Sequence, residues 1–130
     1  MAEELAAKSI GWETSIDPAH LELTADMGLI EQVLINLLLN AVQAIDGRPT
    51  PRIHLRSVLN KAGQVLIEVE DNGPGIMEEV QQKIFIPFYS TRNQGTGIGL
   101  ALCREIMRLH GGSIGVRSEP EVNTVFTLRF

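Results

Sequence analysis

Apolar and polar residues alternate with period two from Ile10 to Ile16 and again from His20 to Thr24, the pattern of strands with one buried face. Flanking Asp17-Pro18, they predict a hairpin-like pair, with Trp12 in the core beside Ile10 and Ile16. From about Gly28 to Ile45 the period lengthens to that of a helix, with Asp26 as a cap and Asp46-Gly-Arg-Pro-Thr-Pro as its end. Ile53–Leu59 and Val65–Glu70 predict two strands joined by an Asn60–Gly63 turn. Asp71-Asn-Gly-Pro-Gly75 has turn chemistry. Met77 to about Phe85 predicts a short helix, stopped before Pro87. Tyr89 to Gly97 has no period and reads as a mobile loop. Gly99 to His110 is helical and closes on Gly111-Gly112. Ser113–Arg117 and Val125–Phe130 predict a closing pair of strands. Adjacent hairpins with interspersed helices predict an α+β two-layer sandwich, a mostly antiparallel sheet with helices on one face.

The first long helix carries unusual chemistry. Ile30, Leu34, Leu37, Leu38, Ala41 and Ile45 form a broad apolar face. The opposite side holds Gln32, Asn36, Asn40 and Gln43, flanked by Val33 and Leu39, where charges are expected if it met water. Asn is a mediocre helix former. Two of them one turn apart fit either a ligand cavity, where a neutral amide oxygen suits a hard cation beside phosphates, or the satisfaction of buried backbone groups.

Composition narrows the classes. The chain has 130 residues, enough for one domain, with 44% hydrophobic and 21% charged residues. Its net charge of −5 argues against non-specific nucleic-acid binding. One cysteine excludes an internal disulfide or a Cys-based metal site. Cys103 lies within the apolar stripe Leu100, Cys103, Ile106, Met107, His110, so packing is its expected role. His110 is expected to cap or pack, since a cation suits a helix C-terminus. No apolar run reaches the roughly 18–20 residues of a membrane span. The acidic start MAEELAAK has no apolar signal region. A cytoplasmic domain cut from a larger protein is the expectation.

Two glycine clusters complete the inventory. In Glu70-Asp-Asn-Gly-Pro-Gly-Ile76, Asp71 ends a strand, where its carboxylate needs a donor such as an exocyclic amine, or else forms a plain turn. Gly95-Thr-Gly-Ile-Gly99 lacks the Lys-Ser/Thr of a P-loop, and no strand precedes it as in a dinucleotide fold. It leads into a helix N-terminus, whose N–H groups and dipole suit phosphate.

The order of these pieces is specific. Asn36-Leu-Leu-Leu-Asn40-Ala, Asp71-x-Gly73-x-Gly75, Phe85-x-Pro87-Phe88 and Gly95-Thr-Gly97-Ile-Gly99-Leu100 resemble the N, G1, F and G2 boxes of sensor histidine kinases. The resemblance covers roughly Ile10 to Phe130, the catalytic ATP-binding domain, and implies the fold shared with gyrase, the Hsp90 chaperones and MutL: a mixed sheet with helices on one face, ATP lying between helices under a lid. It implies that Asn40 binds Mg²⁺, that Asn36 lies near the phosphates and that Asp71 takes the adenine amino group. Gly73, Gly75 and Ile76 then shape the floor. Tyr89 to Gly97 is the lid, with Thr91, Arg92, Gly95 and Thr96 near the triphosphate. Gly97, Gly99 and Leu100 offer backbone to the phosphates, Phe85 and Phe88 anchor the lid base or pack in the core, and Thr124 lies beside adenine. Two positions depart from the pattern. Gln43 stands where many relatives have Lys or Arg, leaving Arg92 more of the neutralisation. Glu121-Val-Asn123 stands where relatives often have glycines, which bears on the last hairpin and on Thr124.

In the ATP-hydrolysing cousins the position of Asn36 is a Glu that activates water. An amide is no general base at neutral pH, so the resemblance implies ATP held for transfer to a histidine on a separate dimerisation domain, with a response regulator downstream. His20, His54 and His110 lack the acceptor motif, a His followed by an acidic residue near the start of a long helix. The chain by itself is expected to be monomeric and unable to phosphorylate itself. The alternatives are a non-catalytic ATP-binding or docking module and an anti-sigma-type serine kinase.

Overall fold

The computed structural model describes residues 10–18, 21–89 and 99–130. Among these, the strands are β1 (Gly11–Asp17), β2 (Arg52–Leu59), β3 (Val65–Asp71), β4 (Ser113–Glu119) and β5 (Asn123–Arg129), and the helices are α1 (Met27–Ala44), α2 (Glu78–Gln81) and α3 (Gly99–Leu109). The strands form one sheet in the order β1-β2-β3-β5-β4. β1 runs parallel to β2, and the other neighbours are antiparallel. The sheet is therefore mixed and mostly antiparallel, as expected.

The expected first hairpin is not there. Leu21–Thr24 form no strand, and His20 lies outside the described residues. β1 pairs instead with β2, Gly11 opposite Arg52 and Asp17 opposite Val58, reached through the long crossover that parallel pairing requires. Alternation marks a strand's two faces but not its partner. Trp12 and Ile16 do share one face, but β1 is an edge strand beyond the reach of the helices, and they stay 42% and 58% exposed. Only Ile10 packs against the core. Trp12 is thus not a core residue.

α1 starts where Asp26 Oδ1 accepts from the Leu29 N–H at 2.9 Å, an N-cap worth about 1 kcal/mol. It spans 18 residues with a mean hydropathy of 1.3, so that, against the expectation from sequence, one stretch is long and apolar enough to cross a membrane by length and composition alone. Here it is a core helix packed on two sides, against the sheet and against α3. The second partner broadens its buried face: Val33, expected beside the amides, is fully buried, while Leu34 and Leu38 only border the core. Cys103 of α3 lies against the Val33 carbonyl, Sγ to O 3.9 Å. Burial pushes its thiol up to about 11, partly opposed by the Asn36 side chain, which leaves it a packing residue.

α2 is shorter than the expected Met77–Phe85. After Gln82 the bonds become successive i to i−3 turns, Lys83 N–H to Val80, Ile86 N–H to Lys83 and Tyr89 N–H to Ile86. Phe85 leaves this path to pack edge-on against Phe126, with ring centroids 6.3 Å apart. Phe88, with φ +68° and 76% exposed, is not in the core. The expected lid from Ser90 onward falls on residues 90–98, outside the described residues.

α3 ends on Gly111 (φ +71°), with the Gly112 N–H on the Met107 carbonyl at 2.9 Å. The Asp26 N–H donates to His110 Nε2 at 3.0 Å, so Nδ1 carries the proton and donates to the Ile106 carbonyl at 2.8 Å. His110 therefore links the end of α3 to the cap of α1, the capping role expected of it.

The two sheet faces differ. Ile53, Ile67, Val69, Phe126 and Leu128 point into the helical layer. On the other face, Arg56 bonds Glu68 at 2.8 Å and Glu70 at 2.7 Å, Arg117 bonds Glu68 at 3.2 Å, and Asn123 bonds Glu70 at 2.8 Å. Burial pushes both carboxyls up, but together the bonds and charges around them hold both below the ordinary glutamate range.

Candidate functional site

The helical face of the sheet ends in a polar row. Asp71 closes β3, Thr124 opposes it on β5, and Ser118 of β4 opposes Thr124. Antiparallel partners point to one side, so these three side chains line one edge of the core. Asp71 and Thr124 are each 3% exposed. Asp71 Oδ1 accepts from the Gly73 N–H at 2.9 Å, which turns the chain sharply off the strand.

The turn that follows is held by close packing. A Cβ on Gly73 would lie 2.8 Å from Asp71 Oδ1 and 2.9 Å from the Ala44 carbonyl of α1. Gly75 has φ +79°, and a Cβ there would lie 2.8 Å from the Glu119 carbonyl and 2.9 Å from Ser118 Oγ. Only glycine fits at either position. The Ile76 N–H donates to Ser118 Oγ at 2.7 Å, and Gln81 Nε2 donates to the Ile76 carbonyl at 2.9 Å.

A second brace comes from behind. Arg48 donates to the Asn72 carbonyl, the Glu121 carbonyl and Glu121 Oε2, each at 3.3 Å, while the Glu121 N–H donates to the Pro74 carbonyl at 2.6 Å. Glu121 has φ +68°, the left-handed conformation in which glycine is the common choice. The hairpin thus keeps its geometry without glycine, and Thr124 keeps its place opposite Asp71. Asn72 ties the turn to β2, accepting from the Arg52 N–H at 2.6 Å and donating to the Thr50 carbonyl at 2.9 Å.

The amide stripe of α1 leads to the same turn. Asn36, Asn40 and Ala44 follow at four-residue spacing, one helical row, and Ala44 touches Gly73. Asn36 and Asn40 are half-buried and Gln43 is exposed. At the upper end of the row, the Asn36 amide is the nearest neighbour of Gly99, the first residue of α3, at 3.9 Å from a Cβ built there. Leu100 packs against the core beside it.

Asp71, Gly73, Gly75, Ile76 and Thr124 therefore meet in one place, and Asn36 meets Gly99. Tyr89 is half-buried at the end of the described segment. Thr91, Arg92, Gly95, Thr96 and Gly97 lie outside the described residues. Sequence reasoning missed Ser118, Gln81 and Arg48. None belongs to a glycine or amide motif, and each acts through contacts between residues distant in sequence.

The donor set fits a purine nucleotide. A carboxylate and a hydroxyl line one wall, glycines bring backbone close beneath it, and neutral amides lead toward a helix start. No cluster of three or more His, Cys, Asp or Glu side chains suited to a metal is present among the described residues. Asn40 carries an uncharged amide oxygen of the kind that could hold a hard cation such as Mg²⁺ beside phosphates.

Residues 25–130 match the family described as histidine kinase-, DNA gyrase B- and HSP90-like ATPase. The chain is 45% identical over 115 residues to the signal transduction histidine-protein kinase AtoS of Escherichia coli (strain K12), covering 88% of this chain and 19% of AtoS. It is 36% identical over 127 residues to the sensor histidine kinase ZraS of Klebsiella oxytoca, covering 98% of this chain and 27% of ZraS. The nucleotide-free catalytic domain of histidine kinase ThkA superposes with a TM-score of 0.87 at 34% identity, covering 99% of this chain and 84% of that one. ThkA in complex with the response regulator protein TrrA gives 0.81 at 32% identity, covering 99% and 36%. The chain spans about a fifth to a quarter of the length of these curated relatives.

Proposed function

The chain belongs to the histidine kinase-, DNA gyrase B- and HSP90-like ATPase family, and from that membership we propose that it is the catalytic ATP-binding domain of a sensor histidine kinase. Residues 1–130 act as one cytoplasmic domain of a longer protein. It presents the γ-phosphoryl group of ATP to a histidine on a separate dimerisation domain, and a response regulator receives the phosphoryl group afterwards.

The observation that carries this reading is the convergence of Asp71, Thr124 and the Gly73–Gly75 turn at the foot of the α1 amide row. Asp71 and Thr124 take the base. Gly73, Gly75 and Ile76 form the floor. Asn36, Asn40, Gln43, Gly99 and Leu100 line the path toward the triphosphate, and the family resemblance alone assigns Tyr89, Thr91, Arg92, Gly95, Thr96 and Gly97 to the nucleotide. When bound, Mg²⁺ supplies charge neutralisation beside Asn40. Asn36 favours transfer over hydrolysis, because an amide has no proton affinity with which to activate water. Phosphoryl transfer asks for positioning and charge neutralisation, and this chain's side chains are suited to both.

The test has two arms. Calorimetry should show binding of Mg-ATP by the 130-residue chain. With γ-labelled ATP the chain by itself should incorporate no label, and a histidine-bearing dimerisation domain added in trans should acquire acid-labile label. Label on the isolated chain, or acid-stable label on the partner, would sink the histidine-kinase reading.

A further inference from the structure

We infer that Arg48 is a positioning residue for Asp71. Through the one peptide unit between Asn72 and Gly73 it holds the Gly73 N–H on the Asp71 carboxylate, and so supports nucleotide affinity from the back of the turn. This rests on the nucleotide reading above.

A single rigid plane carries the effect. A peptide unit is planar, and in its trans form the C=O and N–H point in opposite directions. The Asn72–Gly73 unit is trans, since the one cis bond among the described residues is Asp17-Pro18. Its carbonyl accepts from Arg48 Nε at 3.3 Å. Its N–H donates to Asp71 Oδ1 at 2.9 Å. The two bonds therefore turn together. If the carbonyl swings away from Arg48, the N–H leaves Asp71 and the carbonyl lone pairs come toward the carboxylate. Residue 73 makes such a flip accessible, because the rotation changes φ of Gly73 and glycine takes up either sign of φ. The Asn72 side chain does not prevent it. Its bonds to the Arg52 N–H at 2.6 Å and the Thr50 carbonyl at 2.9 Å fix the residue but not its own carbonyl. The group on that carbonyl is Arg48.

Arg48 is itself held in place. Its N–H bonds the Ile45 carbonyl at 3.0 Å, after Gly47 turns the chain with φ +78°. This sets it one turn past Ala44, whose carbonyl packs on Gly73. The guanidinium is a planar fork. Two of its nitrogens are fixed by Glu121, through Oε2 and the backbone carbonyl, each at 3.3 Å, and the third, Nε, is aimed at Asn72. The Glu121 N–H in turn holds the Pro74 carbonyl at 2.6 Å. A cation on the Asn72 carbonyl also polarises the peptide and strengthens its N–H as a donor, so Arg48 acts on Asp71 through the backbone.

The experiment pairs calorimetry with amide-resolved NMR of the 130-residue chain. Arg48→Ala should move the Gly73 amide proton upfield, as its hydrogen bond weakens, and should lower ATP affinity about fivefold. Arg108→Ala removes an equal charge from the exposed pair with Glu105 on α3, and should leave both readings at wild type. If Arg48→Ala does not fold, Arg48→Lys keeps the charge without the fork and should shift both readings in the same direction. A Gly73 signal that stays put in the folded Arg48 variant would mark a role confined to packing and overturn the inference alone. A shifted signal with unchanged ATP affinity would also overturn it. Equal loss of affinity in Arg108→Ala would assign the effect to net charge and do the same. A wild type that binds no ATP would overturn the nucleotide reading, and this inference with it.

Discussion

Glu68 and Asp71 sit three residues apart on one strand, each at least nine-tenths buried, and face opposite sides of the sheet. Glu68 is enclosed by two arginines, with Thr127 as a further donor at 3.2 Å. Asp71 shares its row with two hydroxyl residues and accepts from a backbone N–H of its own turn. A carboxylate held between guanidinium groups is part of the architecture, and its charge is neutralised inside the protein. Asp71 instead stands at a strand end beside a backbone N–H and opposite Thr124, on the face proposed to hold the nucleotide. The same residue chemistry is structural on one face and, in the proposed reading, ligand-directed on the other because of what the neighbouring strands bring to it.

Four substitutions or conditions can break or sharpen that contrast. The largest effect is expected from Asp71→Asn, which should weaken ATP binding about 10- to 100-fold by calorimetry with little change in melting temperature. An unchanged affinity would place the base elsewhere. Gly73→Ala should cost about 1–3 kcal/mol of stability in urea titration, since its Cβ would press on Asp71 and Ala44, and it should lower ATP affinity as well. Arg56→Ala should cost a similar ~1–3 kcal/mol, because it removes the shared partner of Glu68 and Glu70. ATP affinity should then stay within about twofold, as Arg56 lies on the sheet face opposite Asp71 and Thr124. Coupling between Arg56 and nucleotide binding would dissolve the contrast.

The smallest effect is in pH dependence. Burial raises the Glu68 and Glu70 values, but Arg56 leads the bonds and charges that together hold both low. A value lower in the folded than in the unfolded chain gives stability that is complete above the unfolded value, about 4.3, and is lost as pH falls through the folded one. Thermal melts below about pH 4.3 should show this loss, with a shallower slope in Glu68→Gln. A variant as acid-sensitive as wild type would assign acid unfolding to other carboxylates.

Much of the fold was legible in the chain. Asp26 and Gly111 marked helix ends because capping is local chemistry, and Asn60–Gly63 marked its hairpin for the same reason. The failures were failures of partnership. Ile10–Ile16 read as a strand, but its neighbour β2 lies beyond a whole helix. Trp12 read as core because alternation assigns a face without saying whether anything covers it. Val33 read as flanking because a helical wheel does not show that α3 arrives from the side. His110 read as a cap or a packing residue, but that its second nitrogen takes the Asp26 N–H, distant in sequence, was not visible in the chain.

The candidate site divides in the same way. Sequence alone determined which residue types stand at Asn36, Asn40, Asp71, Gly73 and Gly75, because their motifs are short and their spacing carries the chemistry. Only the tertiary structure decided that Thr124 stands opposite Asp71, that Arg48 and Glu121 brace the turn where relatives often have glycines, and that Ser118 ties Ile76 to the Asn123 carbonyl. These depend on strand register and on hydrogen-bond accounting across three strands. A motif fixes what a residue can donate or accept, and its neighbours in space fix what it has left to offer.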